Sequence, residues 1–179
     1  MVKFIDSPAF RGQQIDHRTL YTESIILKTD SAGTMQFAIP VRGNYVPQWK
    51  HWENIYEEYR VVSVTAELLP FQGSTVKGVS VLWWDTGLNP DAPTPTQALG
   101  RTSSIYRNFN TSKRPITLTY TFKEIEDLAY IETNSGSDFG TCHFMAYSDA
   151  AVFDSPTDTF LYFLRFKYNV VFKTLRVLE

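Results

Sequence analysis

The sequence predicts an all-β domain, built as a sandwich or barrel of antiparallel strands. Three observations lead there. Apolar residues alternate with polar ones in segment after segment, polar turn signals separate those segments, and no strand is followed by the long helix that a parallel sheet requires. The segments are also rich in the β-branched and aromatic residues that fit a pleated, half-buried surface.

Taken in order, the first candidate strand is Tyr21–Thr29, closed by the turn Asp30-Ser31-Ala32-Gly33. In the second, Met35, Phe37 and Ile39 alternate with Thr34, Gln36 and Ala38. A helix is expected next. Pro47 suits a first helical turn, and Trp49, Trp52, Tyr56 and Tyr59 recur at helical spacings, with Lys50, Glu53, Asn54 and Glu57 on the other side. The third strand sets Val62, Val64, Ala66 and Leu68 against Ser63, Thr65 and Glu67, and ends before Gln72-Gly73-Ser74. Thr75–Trp84 reads as the fourth strand, followed by a proline-rich surface loop at Asn89–Pro95 and a short helical turn within Pro93–Gly100. Thr102–Asn108 is the fifth. Ile116, Leu118, Tyr120 and Phe122, alternating with Thr117, Thr119, Thr121 and Lys123, make the sixth. After Asn134-Ser135-Gly136-Ser137 comes Gly140–Ser148, and then the longest segment, Thr159–Thr174, in which every even position from Phe160 to Phe172 is apolar. The sum is eight strands with one short helix between the second and third.

A chain of 179 residues fits one domain, and 43% hydrophobic with 15% aromatic residues is enough for one packed core. We expect a single domain over residues 1–179, with 1–18 as an N-terminal segment and 19–176 as the β-fold. No apolar run approaches the roughly 18 residues that cross a bilayer, and the N-terminus has no signal-peptide core, so a soluble, unsecreted protein is expected. The lone Cys142 excludes an intrachain disulfide or a thiolate zinc cluster. A net charge of −2 gives no support to general nucleic-acid binding, so any basic site has to be local.

One stretch resembles a known family. The aromatic helix runs into Tyr56-Glu57-Glu58-Tyr59-Arg60-Val61-Val62-Ser63-Val64-Thr65 and a strand ending at Leu69-Pro70. This is similar to the helix-to-strand junction in jelly-roll coat proteins of small icosahedral viruses, of the tombusvirus-like or circular single-stranded DNA virus type. Val79-Ser80-Val81-Leu82-Trp83-Trp84-Asp85 resembles their next strand, and Tyr168-Asn169-Val170-Val171-Phe172-Lys173 their last. The resemblance covers most of the chain in element order and implies an eight-stranded antiparallel jelly roll. It also implies a non-enzymatic capsid protein that self-assembles with copies of itself into a closed shell around viral RNA or DNA. The implied location is the virion, assembled inside the host cell, with a host receptor as a further partner. Two departures stand out. The basic N-terminal arm usual in such coats is replaced by Lys3, Arg11 and Arg18 alone, and no protruding domain follows the last strand, which implies a compact, shell-only subunit.

Candidate sites follow. Arg165, Lys167 and Lys173 share one face of the last strand with Asn169, and Arg176 follows; such a stripe can touch phosphate or be a solvated face guarded against edge pairing. Leu161 and Phe163 interrupt it, as if a neighbour or an N-terminal segment covered that part. Asp149, Asp154 and Asp158, like Asp85 and Asp91, can be loop acids that shape turns or, as the resemblance implies, calcium ligands between subunits. Trp49, Trp52, Tyr56 and Trp84 are candidates for subunit contacts, because Trp83 and Trp84 must point to opposite sheet faces and aromatics are enriched at interfaces. The rival reading is a lectin-like module using Tyr106, Phe109 and Phe153. No catalytic set is apparent: His17, His51 and His143 are scattered without metal-ligand spacing, and Cys142 sits inside an alternating strand.

Overall fold

A computed structural model describes residues 15–71, 77–87, 92–100, 104–108, 114–123, 130–133 and 138–175. Its strands are β1 (Ile15–Tyr21), β2 (Ile25–Lys28), β3 (Met35–Arg42), β4 (Tyr56–Pro70), β5 (Val79–Asp85), β6 (Ile105–Asn108), β7 (Ile116–Thr121), β8 (Ile131–Glu132), β9 (Asp138–Ser148) and β10 (Phe160–Leu175). Three short helices interrupt them: α1 (Trp49–Ile55), α2 (Pro95–Gly100) and α3 (Ala150–Phe153).

The strands form two antiparallel sheets. One has the order β1-β10-β4-β7, with β2 also on β10 and β8 also on β4; the other runs β3-β9-β5-β6. β1 and β2 lie end to end along one edge of β10, β1 opposite Lys167–Lys173 and β2 opposite Phe160–Leu164. Counting that pair as one strand and setting aside the two-residue β8, eight strands remain, shuttling between the sheets as a jelly roll requires.

The expected all-β class holds, with ten strands where eight were expected. Tyr21–Thr29 divides because Thr22 leaves the ladder: its hydroxyl accepts the N–H of Phe166, and its own N–H donates to the Phe166 carbonyl. β1 starts at Ile15, inside the segment assigned to an N-terminal extension, and it shows only Leu20 to the core. The helix is shorter than its aromatic spacing predicts. It stops at Ile55, and Tyr56 is extended at φ −118 and ψ 148, opening β4. Pairing with β10 over Tyr56–Pro70 wins over helical periodicity, because each strand residue gains ladder bonds and a core face at once.

The interior lies between the sheets. Leu27, Met35, Tyr59, Val64, Leu68, Phe144, Phe166 and Phe172 are wholly or almost wholly buried there. α1 closes one end with an aromatic stack in which Phe172 lies 5.5 Å from Trp52 and 5.0 Å from Tyr56, while Trp49 meets Tyr59 edge-on at 4.8 Å. Offset and edge contacts of this kind add to the burial of the rings themselves. A second, smaller core covers the outer face of the four-stranded sheet, where Val81, Trp83, Met145 and Tyr147 pack with Ala98 of α2 and Phe153 of α3. That sheet is therefore covered on both sides.

Candidate functional site

The outer face of the six-stranded sheet carries Arg165, Lys167 and Lys173, which alternate along β10 with core residues Phe166, Tyr168 and Phe172. Across the centre of this face runs a band of small polar side chains. Thr19 donates to Asn169 Oδ1 at 3.2 Å, Asn169 Nδ2 donates to Ser63 at 2.8 Å, and Thr65 and Thr119 share a hydrogen bond of 2.8 Å.

The cationic stripe is largely neutralised. Arg165 forms an ion pair with Glu67 at 2.6 Å, and its guanidinium lies 4.7 Å from the centre of the Tyr21 ring. Lys173 pairs with Glu58 at 2.9 Å and sits 4.9 Å from the Tyr130 ring, which Arg60 approaches at the same 4.9 Å. Lys167 is half-buried between Tyr21 and Thr65 in the ladder and has no carboxylate partner among the described residues. Arg176 lies outside the described residues. Partly exposed pairs of this kind stabilise the fold little; their main effect is to cancel charge that a phosphate would otherwise meet.

The aromatic interface candidates turn inward. Trp49 and Tyr56 belong to the main core, Trp52 packs against it half-buried, and Trp84 lies against Phe144, Phe166 and Tyr120 inside the sandwich. Trp83 is the one that faces outward, and α2 and α3 bury it to 1% exposure. Alternation fixes that the two neighbours oppose each other but not which of them faces the core, and here it is Trp84.

The acidic loop residues shape local turns. Asp149 caps α3, accepting the Val152 N–H and the Tyr147 hydroxyl, and burial with this carboxylate pushes the Tyr147 hydroxyl well above its usual range. Asp154 and Asp158 take left-handed backbone conformations at φ 50 and 46, which aspartate tolerates. Asp85 accepts the Gly87 N–H, and Asp91 lies outside the described residues. No cluster of three or more His, Cys, Asp or Glu suited to a metal exists among the described residues.

Of the lectin candidates, Phe153 is buried in the outer core, Tyr106 donates its hydroxyl to the Ala98 carbonyl, and Phe109 lies outside the described residues. His17, His51 and His143 fall on β1, α1 and β9, and Cys142 is buried. Other perturbed groups are structural. Burial pushes Tyr162 up to about 12 while Ser80 hydrogen-bonds it at 2.7 Å, and burial raises Tyr168 as well. A polar latch went unseen in the sequence. Asp16 accepts the Tyr56 hydroxyl at 2.7 Å and pairs with Arg18 at 2.6 Å, while Arg18 covers Trp52 at 5.2 Å, fastening β1 to α1.

No family model matches the sequence, and no curated protein matches it. Solved structures do. The giant freshwater prawn Macrobrachium rosenbergii nodavirus, as a semi-empty virus-like particle, is similar over 100% of this chain and 92% of its own, with a TM-score of 0.68 at 10% identity. Cocksfoot mottle virus gives 0.67 at 11% identity over 91% of this chain and 97% of its own. Mud crab tombus-like virus gives 0.64 at 14% identity over 97% and 96%. The likeness is one of fold, extending across the whole jelly roll.

Proposed function

We propose that this chain is a structural coat subunit of a small icosahedral virus, a single shell domain that joins copies of itself into a closed particle around the viral genome. One observation carries the reading. The two-sheet fold aligns with virus shell subunits over 91% to 100% of this chain at TM-scores of 0.64 to 0.68. The role is mechanical, with no reaction at the scattered histidines or Cys142, and the location is the virion.

The genome contact on this reading is weak and centred on Lys167, because Glu67 and Glu58 engage Arg165 and Lys173. Hydroxyls of the Thr–Ser–Asn band supply sequence-independent hydrogen bonds to phosphate or sugar. Whether RNA or DNA is enclosed, these contacts read backbone alone.

Light scattering after size-exclusion chromatography, together with negative-stain microscopy of the purified chain, tests the assignment. Particles of megadalton mass are expected. A stable monomer or dimer across salt and pH refutes it.

A further inference from the structure

Seven of the nine large apolar side chains exposed among the described residues fall into two sets on opposite sides of the sandwich, the other two being Ile15 and Tyr21 of β1. On the six-stranded sheet, Ile26, Phe163 and Leu69 stand side by side across β2, β10 and β4. Phe71 joins them, its ring 5.6 Å from Phe163 and 5.8 Å from Phe160. Ile26, Leu69, Phe71 and Phe160 are 47%, 53%, 41% and 46% exposed. On the far side, over the four-stranded sheet, Leu99 of α2, Tyr106 of β6 and Val152 of α3 are 53%, 48% and 52% exposed. Tyr106 is held against α2 by its hydrogen bonds to the carbonyls of Ala98 and Leu99.

We infer that these two sets are the halves of one head-to-tail contact, in which the aromatic patch of one copy docks on the Leu99–Tyr106–Val152 side of the next. The inference rests on the coat reading and names the surfaces that reading requires.

Area, charge and symmetry argue for a second copy of this chain as the occupant. The patch exposes about 400 Å² of mostly apolar surface, roughly half of the ~800 Å² that a stable interface buries on each partner. It is therefore of the size of an interface core, with a polar rim to complete it. The rims are complementary: Lys28 borders the patch on β2, Asp154 follows Val152 on the far side, and both are exposed without an ion-pair partner among the described residues. A nucleic acid is disfavoured here, because the rings pack on one another and Glu67 occupies the nearest arginine. Surfaces on opposite faces of one subunit make a heterologous contact, which propagates from copy to copy and closes into a ring when the rotation permits.

Phe71→Asp and Leu99→Asp chains, each full length, test this directly. Both positions are exposed, so circular dichroism and melting temperature should match the parent. Each variant alone should sediment as a monomer, with the assembled fraction down more than tenfold. A 1:1 mixture should form a heterodimer that grows no further, because the intact patch of the Leu99→Asp chain meets the intact far side of the Phe71→Asp chain. A mixture that stays monomeric overturns the contact, as does self-association of the Leu99→Asp chain, the mark of patch meeting patch. If the parent and both variants all form particles, this contact falls and the coat reading stands. If the parent itself never leaves the monomer, both fall.

Discussion

Replacing Glu67 and Glu58 together with glutamine should strengthen the binding of single-stranded nucleic acid and make it more sensitive to salt. The magnitude follows from the ion pairs. Each cation that neutralises one phosphate of a single strand contributes about −0.7 to the slope of log K against log salt. Were Arg165, Lys167 and Lys173 all available, the slope from this face would be about −2. Glu67 lies 2.6 Å from Arg165 and Glu58 2.9 Å from Lys173, which leaves Lys167 and a slope of about −0.7. The double substitution frees two cations and should steepen the slope by about 1.4. Fluorescence anisotropy with a labelled oligonucleotide, titrated at several salt concentrations, reads this directly. Lys167→Ala in the parent should abolish most of the remaining dependence. A parent slope already near −2 that neither glutamate substitution alters would refute the account of a neutralised face.

Other outcomes follow from packing and from the β1 latch. Trp83→Ala should cost about 3–5 kcal/mol in chemical denaturation, since the ring is 1% exposed beneath α2 and α3, whereas Leu99→Ala should change stability by under ~0.5 kcal/mol. Gly78→Ala should lower the melting temperature by an amount worth more than about 1 kcal/mol. Its φ is +113, and a Cβ there would lie 2.7 Å from the Asp154 carbonyl oxygen and 2.9 Å from that of Phe153. The Tyr56 hydroxyl, aided by Arg18, holds the Asp16 carboxyl below its usual range against the opposing cost of burial. A depressed folded value stabilises above the unfolded pKa of about 3.9 and loses that contribution as pH falls through the folded value. Asp16→Asn should therefore narrow the gap between urea midpoints measured at neutral pH and near pH ~3.

The sequence showed the strands whose two faces differ and missed those whose faces do not. β10 was legible because its even residues from Tyr162 to Phe172 are apolar and buried, and β4 because Val64, Ala66 and Leu68 alternate with polar neighbours. β1 was not: Asp16, His17, Arg18 and Thr19 are polar on both faces, and only pairing with Asn169–Phe172 makes them a strand. Tyr56 and Tyr59, three apart, satisfy a helical period and not the strand period of two, and only the pairing to β10 overrides it. The charges on β10 were visible, but their partners were not, because Glu58 and Glu67 reach them through a register that no local pattern encodes. The exposed aromatic patch escaped for the same reason, since Ile26, Leu69 and Phe163 meet only once three distant segments are side by side.

β10 holds the six-stranded sheet together, pairing with β1, β2 and β4 and joining Ile15 to Lys173. On the ribosome it emerges last of the ten strands. Until then β1 and β2 have no partner and β4 lacks its main neighbour, so the nascent chain carries open strand edges and an uncovered apolar face. Contacts so distant in sequence also close slowly. Synthesis and joining are thereby put in sequence: a copy has no finished face to offer a neighbour until translation has passed residue 175 and the late strand has inserted.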